Sequence, residues 1–161
     1  MAAETLVRGG ARVDVYDSMP SVGRKFLLAG KGGLNLTHSE PFEPFLSRFG
    51  ARRDVLAPLL QTFGREQLVA WVRDLGFEVF TGSSGRVFPQ GMKAAPLLRT
   101  WLHRLRQAGV RFHLRHRWRG WSDEGLLRFE APQGEVRVGA DATVLAAGGA
   151  SWPKLGSDGA W

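Results

Sequence analysis

The spacing of apolar residues changes character along this chain, and each spacing predicts a different element. Residues 2–8 (Ala-Ala-Glu-Thr-Leu-Val-Arg) predict the end of a helix, closed by Gly9 and Gly10. Val13-Asp14-Val15-Tyr16-Asp17 predicts a short buried strand that ends in a carboxylate. From Ser18 to Pro44 the periodicity fades and glycines gather, which predicts a long loop of the kind seldom kept without a function. Helical spacing then runs to about residue 75, where Leu68, Trp71, Val72 and Leu75 share a face and Gly76 is the stop. Phe77–Phe80 and Arg86–Pro89, separated by a turn from Thr81 to Gly85, predict a hairpin. A well-marked helix follows, with Pro96 near its first turn, a stripe of Leu97, Leu98, Trp101, Leu102 and Leu105, and Gly109 at its end.

From Val110 the period becomes two. Val110, Phe112, Leu114 and Trp118 alternate with Arg111, His113, Arg115, Arg117 and Arg119, predicting one half-buried strand with a basic outer face. Leu126–Ala131 and Glu135–Gly139, joined through Pro132-Gln133-Gly134, complete an antiparallel meander. Ala142-Thr143-Val144-Leu145-Ala146-Ala147 is apolar without alternation, the pattern of a strand covered on both faces in a parallel sheet.

The opening elements carry a chemical implication. Helix, Gly-Gly turn, strand and terminal Asp form the second half of a βαβ dinucleotide-binding unit, in which that carboxylate accepts the ribose hydroxyls. Asp17 holds this position, although an Asp ending a strand also reads as an ordinary turn residue. The G-x-G-x-x-G that should precede the helix is not in the sequence, so the chain is expected to begin inside that helix, at a methionine internal to a longer reading frame.

Composition narrows the class. Glycine makes up 21 of 161 residues, about double the usual share of ~7%. The absence of cysteine excludes disulfides, thiolate metal sites and redox dithiols, and fits a cytoplasmic protein. No run approaches a membrane span, and the N-terminus lacks the basic and apolar regions of a signal peptide. The formal charge of +7 favours anionic partners such as nucleic acid or phosphorylated cofactors. All but four of the cations are arginine, a bias that GC-rich coding also produces. His38, His103, His113 and His116 show no metal-ligand spacing with carboxylates, so no metal site is expected.

The stretch Val22-Gly23-Arg24-Lys25-Phe26-Leu27-Leu28-Ala29-Gly30-Lys31-Gly32-Gly33-Leu34-Asn35-Leu36-Thr37-His38 resembles a flavin-side loop of glutathione-reductase-type flavoproteins. More narrowly it is similar to bacterial NAD(P)/FAD-dependent, aminoacetone-oxidase-like oxidoreductases, with their G-R-K, short apolar run, G-x-G and N-x-T. The resemblance continues through Val87-Phe88-Pro89 and Met92-Lys93-Ala94. It returns from Val144 to Gly159, as a buried strand, A-x-G-G, S-aromatic-P and G-S-x-G. Family members often carry Arg-Cys where this chain has Gly33 and Leu34, and they continue past Trp161 into a substrate domain.

The resemblance implies an α/β fold: a truncated Rossmann-like FAD/NAD(P)-binding domain over residues 1–161, with a helical and hairpin excursion at 42–92 and a β-meander at 110–139. It implies FAD as cofactor and hydride transfer to or from a small organic substrate, with NAD(P)H as reductant. Arg24 and Lys25 would offset the pyrophosphate. Gly30, Gly32 and Gly33 would turn backbone N–H groups toward the flavin, with Asn35 and Thr37 beside them. Ala147, Gly148 and Gly149 would let a strand end pass close to the cofactor. Trp118 is the candidate for the adenine contact, against its simpler role in sheet packing. No nucleic-acid or membrane partner is expected. Two other readings stay open: a basic nucleic-acid-binding module built on Arg104–Arg119 with Trp118 and Trp121 interleaved, and an inactive product of a truncated gene.

Overall fold

The computed structural model describes residues 1–150, 152–155 and 157–159. The chain divides into two compact units, Met1–Lys25 with Leu102–Trp161, and Phe26–Trp101.

The first unit begins with helix α1 (Ala2–Arg8), capped at Gly9 as its sequence predicts. Strand β1 (Asp14–Asp17) pairs in parallel with a strand from much later in the chain, β5 (Arg111–Leu114), in the register Asp14–Arg111 to Asp17–Leu114. The basic period-two segment is therefore two strands. The second, β6 (Arg117–Trp121), belongs to an antiparallel meander with β7 (Leu127–Ala131) and β8 (Gly134–Val138). The break falls at Arg115, whose φ is 57°. Its N–H goes to Met19 O at 3.1 Å and that of His116 to Asp17 O at 3.0 Å. Alternation survives a bend of this kind, so periodicity alone does not reveal it. Val13, Leu105, Val110, Leu127, Phe129 and Ala131 are buried here.

One expected element does not form. Residues 142–147 belong to no strand, and Val144 and Leu145 are 59% and 57% exposed. A run apolar on both faces becomes a strand only when a neighbour takes up its backbone groups, and no described strand pairs with it.

The second unit holds most of the expected glycine-rich loop, and that loop has structure. The helix formers of Arg24–Ala29 make α2, which begins at the end of the first unit, and Thr37–His38 make the short strand β2. Helices α3 (Phe42–Ser47), α4 (Arg53–Thr62) and α5 (Arg65–Asp74) follow. The predicted hairpin is β3 (Val79–Thr81) with β4 (Arg86–Pro89), and β2 extends it to the order β2-β4-β3. Helix α6 (Ala94–Gln107) starts in this unit. The core joins Trp71, Val72 and Leu75 of α5 to Leu97 and Ala94 of α6 and to Leu34 of the loop. Trp71 and Trp101 meet edge to face, 5.0 Å between centroids. No helix among the described residues is long and apolar enough to cross a membrane.

Candidate functional site

The expected cofactor residues fall in both units, so each group is described within its own.

In the first unit, β1 delivers Asp17 to the start of a tight turn. Its Oδ1 accepts the Met19 N–H at 2.9 Å. Burial pushes the carboxyl pKa up, and the Met19 N–H and the Arg24 charge partly offset that push. Arg24 has a buried Nε with no acceptor. A buried guanidinium N–H without a partner costs about 1–3 kcal/mol, which suits a position that meets an anion. Gly23, with φ of 74°, makes the turn that leads into Arg24 and the exposed Lys25.

Ala147, Gly148 and Gly149 are exposed. Gly148 (φ 86°) is required locally, because a Cβ there would lie 2.5 Å from Ser157 Oγ. That hydroxyl accepts the Ala150 N–H at 3.1 Å, and a bridge between Trp152 and Ser157 closes the turn. Ser151 and Gly156 of the same motif lie outside the described residues. Trp118 is half-buried, sits opposite Phe129 in the meander and meets Trp121 edge to face at 4.8 Å. Its indole N–H is buried without an acceptor. Packing accounts for its ring and leaves its N–H unused.

In the second unit the loop glycines serve separate ends. Gly30 lies against α6, where a Cβ would come 2.3 Å from Ala94 Cβ. Gly33, with φ of 118°, lies under Met92, and a Cβ there would come 2.6 Å from Met92 Cε. Their N–H groups stay inside the chain, Gly30 to Phe26 O at 3.2 Å and Gly33 to Gly30 O at 3.2 Å. Lys31 and Leu34 also donate internally, to Leu28 O at 3.1 Å and Met92 O at 2.9 Å. Gly32 remains: it is exposed, has nothing within 4 Å of a Cβ, and its N–H meets no acceptor among the described residues. With its amide turned so that the nitrogen faces acceptors, Asn35 donates to Thr37 O at 2.8 Å and Val87 O at 3.3 Å, fixing the loop to β4. Thr37 is half-buried in β2, opposite Val87. Leu34 is 4% exposed and belongs to the core. The departure from Arg-Cys at 33 and 34 therefore gives one position covered by Met92 and one buried apolar position.

Sequence reasoning did not find the carboxylate of Glu4, the imidazole stack around Tyr16, or the role of Met92. Tyr16 lies between His113 and Phe129 at centroid distances of 4.4 and 4.2 Å, and His113 Nε2 reaches Asp14 Oδ1 at 2.7 Å. The alternation of tyrosine and aspartate in β1 with histidine in β5 was the available signal. It could be read only once β1 was known to pair with β5. Among the described residues no group of three or more His, Asp or Glu side chains gathers as a metal cluster.

The family model described as HI0933-like protein Rossmann domain matches residues 1–161. No curated protein matches the chain.

Proposed function

The chain belongs to the HI0933-like Rossmann-domain family of FAD-binding, oxidoreductase-like flavoproteins, and from that premise we propose that it serves hydride transfer between FAD and a small organic substrate, with NAD(P)H as the reductant. The observation that carries this reading is the presence of Asp17 and Arg24 in the same unit. One offers a carboxylate at the end of a parallel strand, and the other a buried N–H without an acceptor. A dinucleotide supplies the complement of both: ribose hydroxyls for the carboxylate and a pyrophosphate for the guanidinium.

The residues fit the cofactor. Asp17 Oδ2 is the oxygen left for ribose once Oδ1 holds Met19. Arg24, with Lys25 beside it, would hold the pyrophosphate. In the second unit, Gly32 N–H, Asn35 and Thr37 would meet the flavin; in the first, Gly148 and Gly149 would let the backbone pass close to the cofactor. Trp118 keeps its adenine role through the unused indole N–H. When bound, the flavin supplies the hydride chemistry, and these side chains bind and orient it.

The exposed run at Val144 and Leu145 supports a further part of the reading. An added strand alongside it, with a glycine turn, would complete the cofactor site. Such a turn would bring backbone donors, and two charge-assisted bonds change affinity by ~10²–10⁴-fold. The test adds FAD to the 161-residue chain and to a longer form that supplies such a strand and turn, then reads flavin absorbance after dialysis. The longer form should stay yellow and the shorter one should not. Stoichiometric flavin on the shorter chain sinks the need for the strand; flavin on neither sinks the FAD reading.

A further inference from the structure

Met92 has a φ of 57°, the left-handed region that costs a residue with a side chain about 1–2 kcal/mol. Its own N–H donates to Pro89 O at 2.8 Å, which closes a turn between β4 and α6. Turned this way, its carbonyl accepts the Leu34 N–H at 2.9 Å. The end of its side chain lies over Gly33, at the place a Cβ would occupy. Met92 is 36% exposed, whereas Ala94 two residues on is 4% exposed and packs in the core. Burial therefore does not explain the strained backbone; the two contacts with the loop do.

We propose that Met92 is a positioning residue for the glycine loop. Backbone carbonyl and side chain together hold Gly33 at φ 118°, at the close of the turn from Gly30 (Gly33 N–H to Gly30 O, 3.2 Å) that carries the Gly32 N–H. The functional meaning rests on the reading of this loop as flavin-facing; the clamp itself does not.

Amide hydrogen exchange on the flavin-free chain tests it. Met92→Gly keeps the left-handed turn and removes the side chain, and Met92→Leu restores bulk. Met92→Gly should speed exchange at Gly33 and Leu34 by about tenfold or more while the core amides of Val72 and Leu97 hold. Met92→Leu should bring the rate back. Unchanged exchange at Gly33 and Leu34 overturns the proposal. So does equal acceleration at Val72 and Leu97, which marks an ordinary packing residue, and so does failure of Met92→Leu to rescue. A fluorescence titration with FAD, made in the longer form that supplies the added strand and turn, separates the two readings. Weaker flavin binding by Met92→Gly than by the parent chain supports the positioning role, and equal affinity overturns it. Flavin affinity in neither the 161-residue chain nor the longer form sinks the FAD reading, and exchange alone then decides the clamp.

Discussion

The guanidinium of Arg104, on α6, meets the carboxylate of Glu4, on α1, at 2.7 Å, and Arg8 reaches the same oxygen at 2.9 Å. Glu4 is 5% exposed and is the buried charged residue of the described core. Removing Arg104 leaves the buried Glu4 carboxylate only partly compensated, through the mostly exposed Arg8, at a cost of about 1–3 kcal/mol. Arg104→Ala should therefore lower the unfolding free energy by that much, read as a lower urea midpoint. The double replacement Glu4→Leu with Arg104→Met should recover most of it, because no buried charge remains. Urea unfolding of the three proteins checks this; a double variant as destabilised as Arg104→Ala, or more so, would contradict it.

Asp17 should cost the folded chain stability at neutral pH. Its folded pKa is raised by burial, so its contribution is full below the ordinary aspartate value and is lost as pH rises through the folded one. Asp17→Asn removes the titration yet still accepts the Met19 N–H. The variant should melt higher at pH 7 by a modest margin, at most about 1 kcal/mol because water screens a half-buried group. The margin should close below the ordinary value of 3.8. Thermal melts across pH decide it, and a variant less stable at pH 7 would contradict the sign.

The same residue should matter in the opposite direction for the cofactor. In a flavin-holding form, Asp17→Ala loses a charge-assisted hydrogen bond worth ~1.5–3 kcal/mol, or roughly ten- to a hundredfold in affinity. Flavin content after dialysis measures it. Retention equal to the parent would make Asp17 only the turn residue that binds Met19.

The loop glycines should separate on substitution. Gly30→Ala forces a methyl to within 2.3 Å of Ala94 Cβ, and overpacking of this kind costs about 1–3 kcal/mol. Gly32→Ala meets open space and keeps an ordinary backbone, so its melting temperature should stay close to that of the parent. Thermal melts of both variants check the contrast, and equal losses would refute it.

The basic face of the meander should bind nucleic acid poorly. Arg119 pairs with Glu130, Arg128 with Glu135 at 2.8 Å, Arg137 with Glu135 at 2.9 Å and Arg117 with Asp158 at 3.3 Å. Arginines already engaged in ion pairs release few counterions from a phosphate backbone. Anisotropy with a random duplex at physiological salt should show weak, salt-sensitive binding. Submicromolar affinity lost in Arg115→Ala with Arg117→Ala would instead favour a nucleic-acid module.

What the sequence determined by itself was local. The Gly9 cap, the stripe from Leu97 to Leu105, the hairpin around Ser83 and the meander from Leu127 to Val138 follow from spacing and turn chemistry within a few residues, and the structure forms them all. Asp17, Arg24 and the glycine loop were readable because their motifs are contiguous. Tertiary structure decided everything that depends on a distant partner. It cut the basic strand at Arg115, because β5 had to pair in parallel with β1 before the chain could turn into the meander. It left Val144 and Leu145 exposed, because strand propensity becomes a strand only beside a neighbour. It gave Gly30 and Gly33 to packing against Ala94 and Met92, residues about sixty positions away, and so left Gly32 as the loop amide without an acceptor. A glycine's conformational freedom is written in the sequence; which neighbour requires it is a matter of distance in space, and only the folded chain sets that distance.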